Sequence, residues 1–141
     1  MAFREKTAWL TLISMLVAYA LYFGLIVAGH PAGHDLFPML WLFGTITLTQ
    51  LVVVIAGSLY LTARTPKEER ARADERDRAI SRRGAAAGYY VLMIGTIVAA
   101  VVMPFLESGA RLANIGLFAL VTAEAVHHLV VLTSYRRAWH G

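Results

Sequence analysis

Four long apolar stretches, separated by short polar ones, make up most of this chain. They fall at about 8–29, 37–61, 84–105 and 112–134, each on the order of 20 residues or more, the length at which an α-helix crosses a hydrocarbon core about 30 Å thick. The pattern predicts an all-α membrane protein of four transmembrane helices, with a charged connector at 62–83 between the second and third. The first run follows Arg4 and Lys6 and ends in small residues, as a secretory signal would. It is longer than the apolar core of such a signal and three more spans follow, so it reads as a retained helix.

Composition narrows the class. A chain of 141 residues that is 58% hydrophobic and 16% charged is too short and too apolar for a soluble domain plus anything else, and reads as a single membrane unit over 1–141. With no cysteine, disulfides, iron–sulfur clusters and thiolate zinc sites are excluded.

The net charge of +4 matters through its distribution. Arg4 and Lys6 precede the first span, eight basic residues lie between Arg64 and Arg83, and Arg136 and Arg137 follow the fourth, leaving only Arg111 on the other side. A twelve-to-one split of the 13 basic residues predicts cytoplasmic termini in a multi-pass protein of the cell inner membrane. Trp9, Tyr60, Tyr89, Tyr90, Tyr135 and Trp139 fall near the inner ends, as interfacial anchors do. The basic residues are placed as topology requires and interleaved with acids, so membrane lipids are the expected surroundings and direct contact with nucleic acid is not expected.

An internal match suggests a duplication. At an offset of 71, "YALYFGLIVA" (Tyr19–Ala28) lies over "YVLMIGTIVA" (Tyr90–Ala99) with six of ten positions identical, while Gly44 over Gly116 links the second and fourth spans more faintly. Two parallel hairpin repeats would be related by a twofold axis along the membrane normal, with Gly24 and Gly95 at matching depth where helices one and three approach. Small residues provide two packing stripes: Ala20, Gly24 and Ala28, and the "GAAAG" of Gly84–Gly88. Intramolecular packing is the simpler use of such stripes, and a homodimer seam the sharper one.

The connector "RTPKEERARADERDRAISRRG" (Arg64–Gly84) carries thirteen charged residues. Thr65, Pro66 and Glu68 form the pattern of a capping box, so a cytoplasmic helix is expected to start there. The pairs Glu68–Arg72, Arg70–Asp74 and Asp74–Arg78 would support it at i,i+4 spacing. Its apolar residues are too few for an interfacial helix. It is either a solvated connector that enforces orientation or a docking surface for a cytoplasmic regulatory protein, with Arg72, Asp74, Glu75, Arg76 and Asp77 as the candidate contacts. The run "ADERDRAISRRGAAAGYYVL" resembles small prokaryotic multi-pass membrane proteins of the DUF2178 type, which carry a D-E-R-D/E motif before an apolar span. Some of those are encoded beside helix-turn-helix regulators, so the resemblance implies a regulatory or sensory role and no catalytic residues.

Candidate chemistry lies inside the membrane. Glu124, Gln50 and Thr96 fall near the middles of helices four, two and three. A carboxylate at mid-depth costs several kcal/mol unless it is protonated, paired or wetted, so Glu124 is expected to face the bundle within hydrogen-bond reach of Gln50, Thr96, Tyr19, Tyr22 or His128. His128 lies one turn from Glu124 on the same face, and the pair forms a candidate ligand or proton site with Gln50, Thr96 and Tyr19. The competing reading is a neutral, hydrogen-bonded glutamate that locks helix register. A haem would want a histidine in each hairpin at matching depth, and the first hairpin has none within its spans, so no cofactor is expected. His30, His34 and Asp35 in "HPAGHD" could ligate zinc, although a polar turn explains them more simply.

No nucleophile–base pair, phosphate loop or zinc-protease motif is visible, which places enzymes last. The leading expectation is a non-enzymatic regulator or sensor that couples a membrane signal or lipophilic ligand to a cytoplasmic partner. The alternative is a subunit of an oligomeric proton-linked transporter or channel.

Overall fold

The computed structural model describes residues 3–30, 35–68 and 75–139, with the side chains of 138 and 139 left aside. The described residues are helical apart from short turns. The helices are α1 (Phe3–Val27), α2 (Leu36–Arg64), α3 (Glu75–Ile97) and α4 (Gly109–Trp139), with a π-helical turn at Val98–Val102 and a 3-10 turn at Met103–Phe105 between the last two. All four are long and apolar enough to cross a membrane. Large apolar side chains cover their outer faces, Val17, Val52, Ile94 and Phe118 among them. In water such a surface would be an aggregation hazard, whereas against lipid it is the ordinary exterior.

Local sequence explains where the helices stop. At the end of α1, Gly29 takes φ 84°. Its N–H reaches the Ile26 carbonyl (3.1 Å) and that of His30 the Leu25 carbonyl (2.9 Å), the paired bonds of a Schellman cap that only a residue tolerant of positive φ closes cheaply. Pro104 ends the α3 run. A proline has no N–H to donate and crowds the carbonyl four residues back, and the chain passes through the π and 3-10 turns just before and around it.

The helices form two hairpins. In the first, Leu10 of α1 packs on Gly57 of α2. In the second, Gly84, Gly88 and Gly95 line the face of α3 that meets α4. A Cβ at Gly84 would lie 2.9 Å from the His127 carbonyl, one at Gly88 3.1 Å from the Ala123 carbonyl, and one at Gly95 2.6 Å from the Ala119 Cβ. Small residues thus let two backbones approach where no hydrophobic force between helices is available in lipid. The "GAAAG" stripe is therefore used within the chain. The α1 stripe is not: Ala20, Gly24 and Ala28 are exposed, and nothing lies within 4 Å of a Cβ at Gly24.

The hairpins join along α1 and α4, where Ala8, Leu12, Met15 and Leu132 form the buried cluster. Among the described residues the α2–α3 side has no seam of similar extent, so the packing between hairpins is not twofold symmetric there. Gly95 packs on α4, and not on α1 beside Gly24, because the close approach that needs glycine is made inside the second hairpin.

Contacts fix the relative direction of the helices. Arg4, Asp77 and Tyr135 meet at one end, which also carries Arg82, Arg83, Arg136 and Arg137 and is here called the basic end. At the other, the turn end, Tyr22 donates to Asn114 Oδ1 (2.6 Å) and Asn114 Nδ2 lies 2.9 Å from Met39 Sδ. Tyr22 is fully buried, and this node ties α1, α2 and α4.

The connector departs from expectation in one detail. Thr65 is the C-cap of α2, and its hydroxyl donates to the Leu61 carbonyl (2.7 Å), so it closes the helix behind it instead of capping the one ahead. Lys67 and Glu68 are helical; the expected ion pairs to Arg72 and Asp74 involve residues outside the described ones. From Glu75 the chain is one continuous helix through Gly84 into the apolar run. The stretch from Glu75 to Phe105 is 31 residues, or about 46 Å at 1.5 Å per residue, so its first turns project beyond a hydrocarbon core of about 30 Å.

Candidate functional site

The polar residues of α4 line a cleft that begins at the basic end and stops at mid-depth. Its first chamber, about 330 Å³, is bounded by Arg4, Thr7, Asp77, Ser81, His127 and Tyr135. A second, about 250 Å³, holds Tyr19, Gln50, Glu124 and Met15. Thr11 and His128 line both, so the two chambers adjoin along a shared wall. The fold puts them there because His127 and His128 follow Glu124 by three and four residues and occupy the same side of α4. The backbone at His127 is pressed onto Gly84 and Gly88, which fixes that side against α3 and α1.

Glu124 lies in the cleft, with Oε2 3.9 Å from His128 Nε2. Its side chain is 57% exposed and that of His128 17%. The expectation of a hydrogen bond to Gln50, Thr96, Tyr19, Tyr22 or His128 is not met. Tyr19 turns its hydroxyl to Thr47 at 3.4 Å and stacks on Phe43; Tyr22 is committed to Asn114. At 3.9 Å the approach to His128 is an ion-pair distance when the imidazole is protonated, and a water-bridged one otherwise. Of the three ways to reconcile a carboxyl with mid-depth, the geometry offers pairing and wetting.

Of the predicted layer, Glu124, His128, Gln50 and Tyr19 come together. Thr96 does not: it is exposed, one position past Gly95, and it is Gly95 that faces α4. The reason is the helical period, which turns successive residues by about 100°. Depth counted from span ends says nothing about that angle.

Two elements of the site were missed in the sequence. Asp77, read as part of a docking surface, accepts a hydrogen bond from the Tyr135 hydroxyl (2.9 Å) and lies 3.6 Å from Arg4 Nε, with 18% of its side chain exposed. Glu75 and Arg76 beside it are exposed; Arg72 and Asp74 lie outside the described residues. Asn114 was also missed. Asn114 carries a signal, a polar side chain in an apolar run, whereas Asp77 is one charge among thirteen and carries none.

At the turn end, His30 and Asp35 are exposed and His34 lies outside the described residues. Among the described residues no three His, Asp or Glu side chains converge on a point a metal could occupy.

The removal of Glu124 can now be forecast. With no hydrogen bond to strand, Glu124→Ala is expected to change stability by no more than about 0.5 kcal/mol, measured by reversible unfolding in mixed micelles. A large loss would mean that a partner holds this carboxyl in the bilayer.

No family model, curated protein or solved structure matches this chain.

Proposed function

We propose that the protein is a non-enzymatic membrane regulator or sensor, in which the state of the Glu124–His128 site in α4 is passed through the basic end to the connector, and from there to a soluble partner. The observation that carries this reading is the position of Asp77. The same residue belongs to the D-E-R-D motif at the start of α3, is held by Tyr135 of α4 and Arg4 of α1, and lines the cleft that contains His127 and His128. A charge change at His128 therefore acts on a group that tethers the connector end of α3. The resemblance to DUF2178-type membrane proteins points the same way.

In this reading the basic end is cytoplasmic and the membrane is the inner one, from the twelve-to-one split of basic residues. The duplicated hairpin belongs to the reading as a matter of descent; it rests on the match of Tyr19–Ala28 to Tyr90–Ala99, not on the packing. Glu75 and Arg76, exposed two positions and one position before Asp77, are the contacts offered to the partner, together with Arg72 and Asp74.

The transporter alternative is less well supported by the same geometry. The aromatic rings of Tyr19, Tyr22, Phe23, Phe43 and Phe118 pack on one another on the turn-end side of Glu124, where a transporter would need a second exit.

Purification from native membranes under mild crosslinking tests the proposal. A specific cytosolic protein is expected to accompany the wild-type chain and to be lost from a variant combining Glu75→Ala and Arg76→Ala. Equal recovery with both chains would remove the connector as a docking surface.

A further inference from the structure

We propose that the cleft from Asp77 to Glu124 is an aqueous path entered from the basic end, and that the ligand it delivers to mid-membrane is the proton. This deepens the reading of Glu124 and His128 as a sensing site and rests on it for its consequence, whereas the access route stands on the geometry alone.

Three observations converge. First, polar groups recur at every level of the lining from the surface inward, beside the apolar Phe3, Ala8, Val131, Met15, Leu120 and Val121. Arg4, Asp77 and Tyr135 stand at the mouth, Thr7, Ser81 and His127 come next, Thr11 and His128 lie at the junction, and Glu124 with Gln50 is at the end. A buried water needs two to four polar partners, and these side chains supply them at each level.

Second, the path stops. Beyond Glu124 toward the turn end, Tyr19 stacks on Phe43 with centroids 5.6 Å apart, Tyr22 meets Phe43 edge-on at 5.1 Å, and Phe23 meets Phe118 at 5.4 Å. The polar groups packed among these rings are spent on one another, Tyr22 on Asn114, Asn114 on Met39 and Tyr19 on Thr47.

Third, the terminus of the path is a carboxyl with an imidazole one turn away at 3.9 Å, within ion-pair reach when the imidazole is protonated. Delivery needs no other reagent. Hydronium in the cleft gives its proton to a His128 ring nitrogen and reverts to water. The imidazolium N–H then breaks as an O–H bond forms on Glu124, and His128 is left neutral.

The charged and titratable groups facing this pair are Arg4 and Tyr19 from α1, Asp77 from α3, and His127 and Tyr135 from α4. From α2 the facing group is the neutral Gln50. A proton taken up at the pair thus changes the field along a cleft whose mouth carries the Arg4–Asp77 couple. The aromatic layer separates the path from the turn end, so uptake reports the acidity of one compartment and moves no charge across the membrane.

The absence of cysteine from the chain allows a direct test. Single substitutions Ser81→Cys, Thr11→Cys and His128→Cys, with Leu21→Cys as a lipid-facing control, are exposed to a cationic, membrane-impermeant methanethiosulfonate in vesicles of either orientation. Ser81→Cys, Thr11→Cys and His128→Cys are expected to be labelled from the basic end and from no other side, and Leu21→Cys from neither. Labelling of Ser81→Cys with Thr11→Cys and His128→Cys silent, or labelling of either inner position from the turn end, would overturn the path.

The unsubstituted chain gives the second measurement. Its infrared carboxylic-acid band, identified by its loss in Glu124→Gln, is expected to grow when the pH is lowered on the basic side alone. A band that follows the pH of the turn-end side, or of neither side, would reject proton delivery. These readouts involve no soluble partner, so their failure is distinct from failure of the co-purification.

Discussion

Gly88→Leu is expected to drive α3 away from α4 and to cost about 1–3 kcal/mol of stability, the range for overpacking a close contact. The cost arises because a Cβ at Gly88 would already stand 3.1 Å from the Ala123 carbonyl and 3.1 Å from the His127 Cβ. The first of these is backbone in mid-helix and cannot rotate away. Leucine adds three further carbons in the same direction. The informative control is Gly24→Leu, which changes the same residue type on another helix where nothing lies within 4 Å of the new Cβ. It is expected to remain within about 0.5 kcal/mol of the parent. Reversible unfolding in bicelles measures both, and equal losses would contradict the assignment of the second hairpin as the tight one. Self-association in the bilayer, read alongside, asks whether the exposed Ala20, Gly24 and Ala28 stripe is a homodimer seam. A drop with Gly24→Leu but unaltered fold stability would identify it as one.

The helices were legible in the sequence because membrane spans are specified by length and apolarity, two properties that a single chain displays openly. The expected spans at 8–29, 37–61, 84–105 and 112–134 all fall within the observed helices or, for the third, within α3 and the π and 3-10 turns that end it; at the end of the first, Gly29 and Ala28 belong to the cap. The small residues of Gly84–Gly88 were legible as a packing stripe for the same reason. Their partner was not. A G-x-x-x-G pattern states that some backbone comes close, and only the fold shows that it is α4.

The candidate site was half legible. Glu124 and His128 stand out because ionisable side chains are rare in apolar runs, and their i,i+4 spacing puts them on one face by helical geometry alone. The hydrogen bonds expected around Glu124 failed because depth was known and azimuth was not. Tyr19 and Tyr22 point toward Phe43 and Asn114, and Thr96 turns outward. Asp77 was hidden by its company. In a run of thirteen charges nothing local marks Asp77 as a carboxylate that folds inward, and its partners Arg4 and Tyr135 are 73 and 58 residues away in sequence.

That inward carboxylate is where the second large effect is expected. Asp77→Ala removes the acceptor of the Tyr135 hydroxyl at 2.9 Å and the counter-charge of Arg4. A hydrogen bond to a charged group is worth about 1.5–3 kcal/mol. The Arg4 pair adds less than about 1 kcal/mol, because the guanidinium is half exposed and screened. The loss should be local, loosening the first turns of α3 that project beyond the apolar slab while the glycine seam below holds. Backbone hydrogen exchange in nanodiscs then tests the central claim directly, through the amides of Arg78 to Arg83. The account predicts that Glu124→Gln alters their protection when Asp77 is present and leaves it unaltered in an Asp77→Ala background, because the tether that carries the change is gone. Amides indifferent to Glu124→Gln, or shifted equally in both backgrounds, would contradict the coupling of the membrane site to the connector.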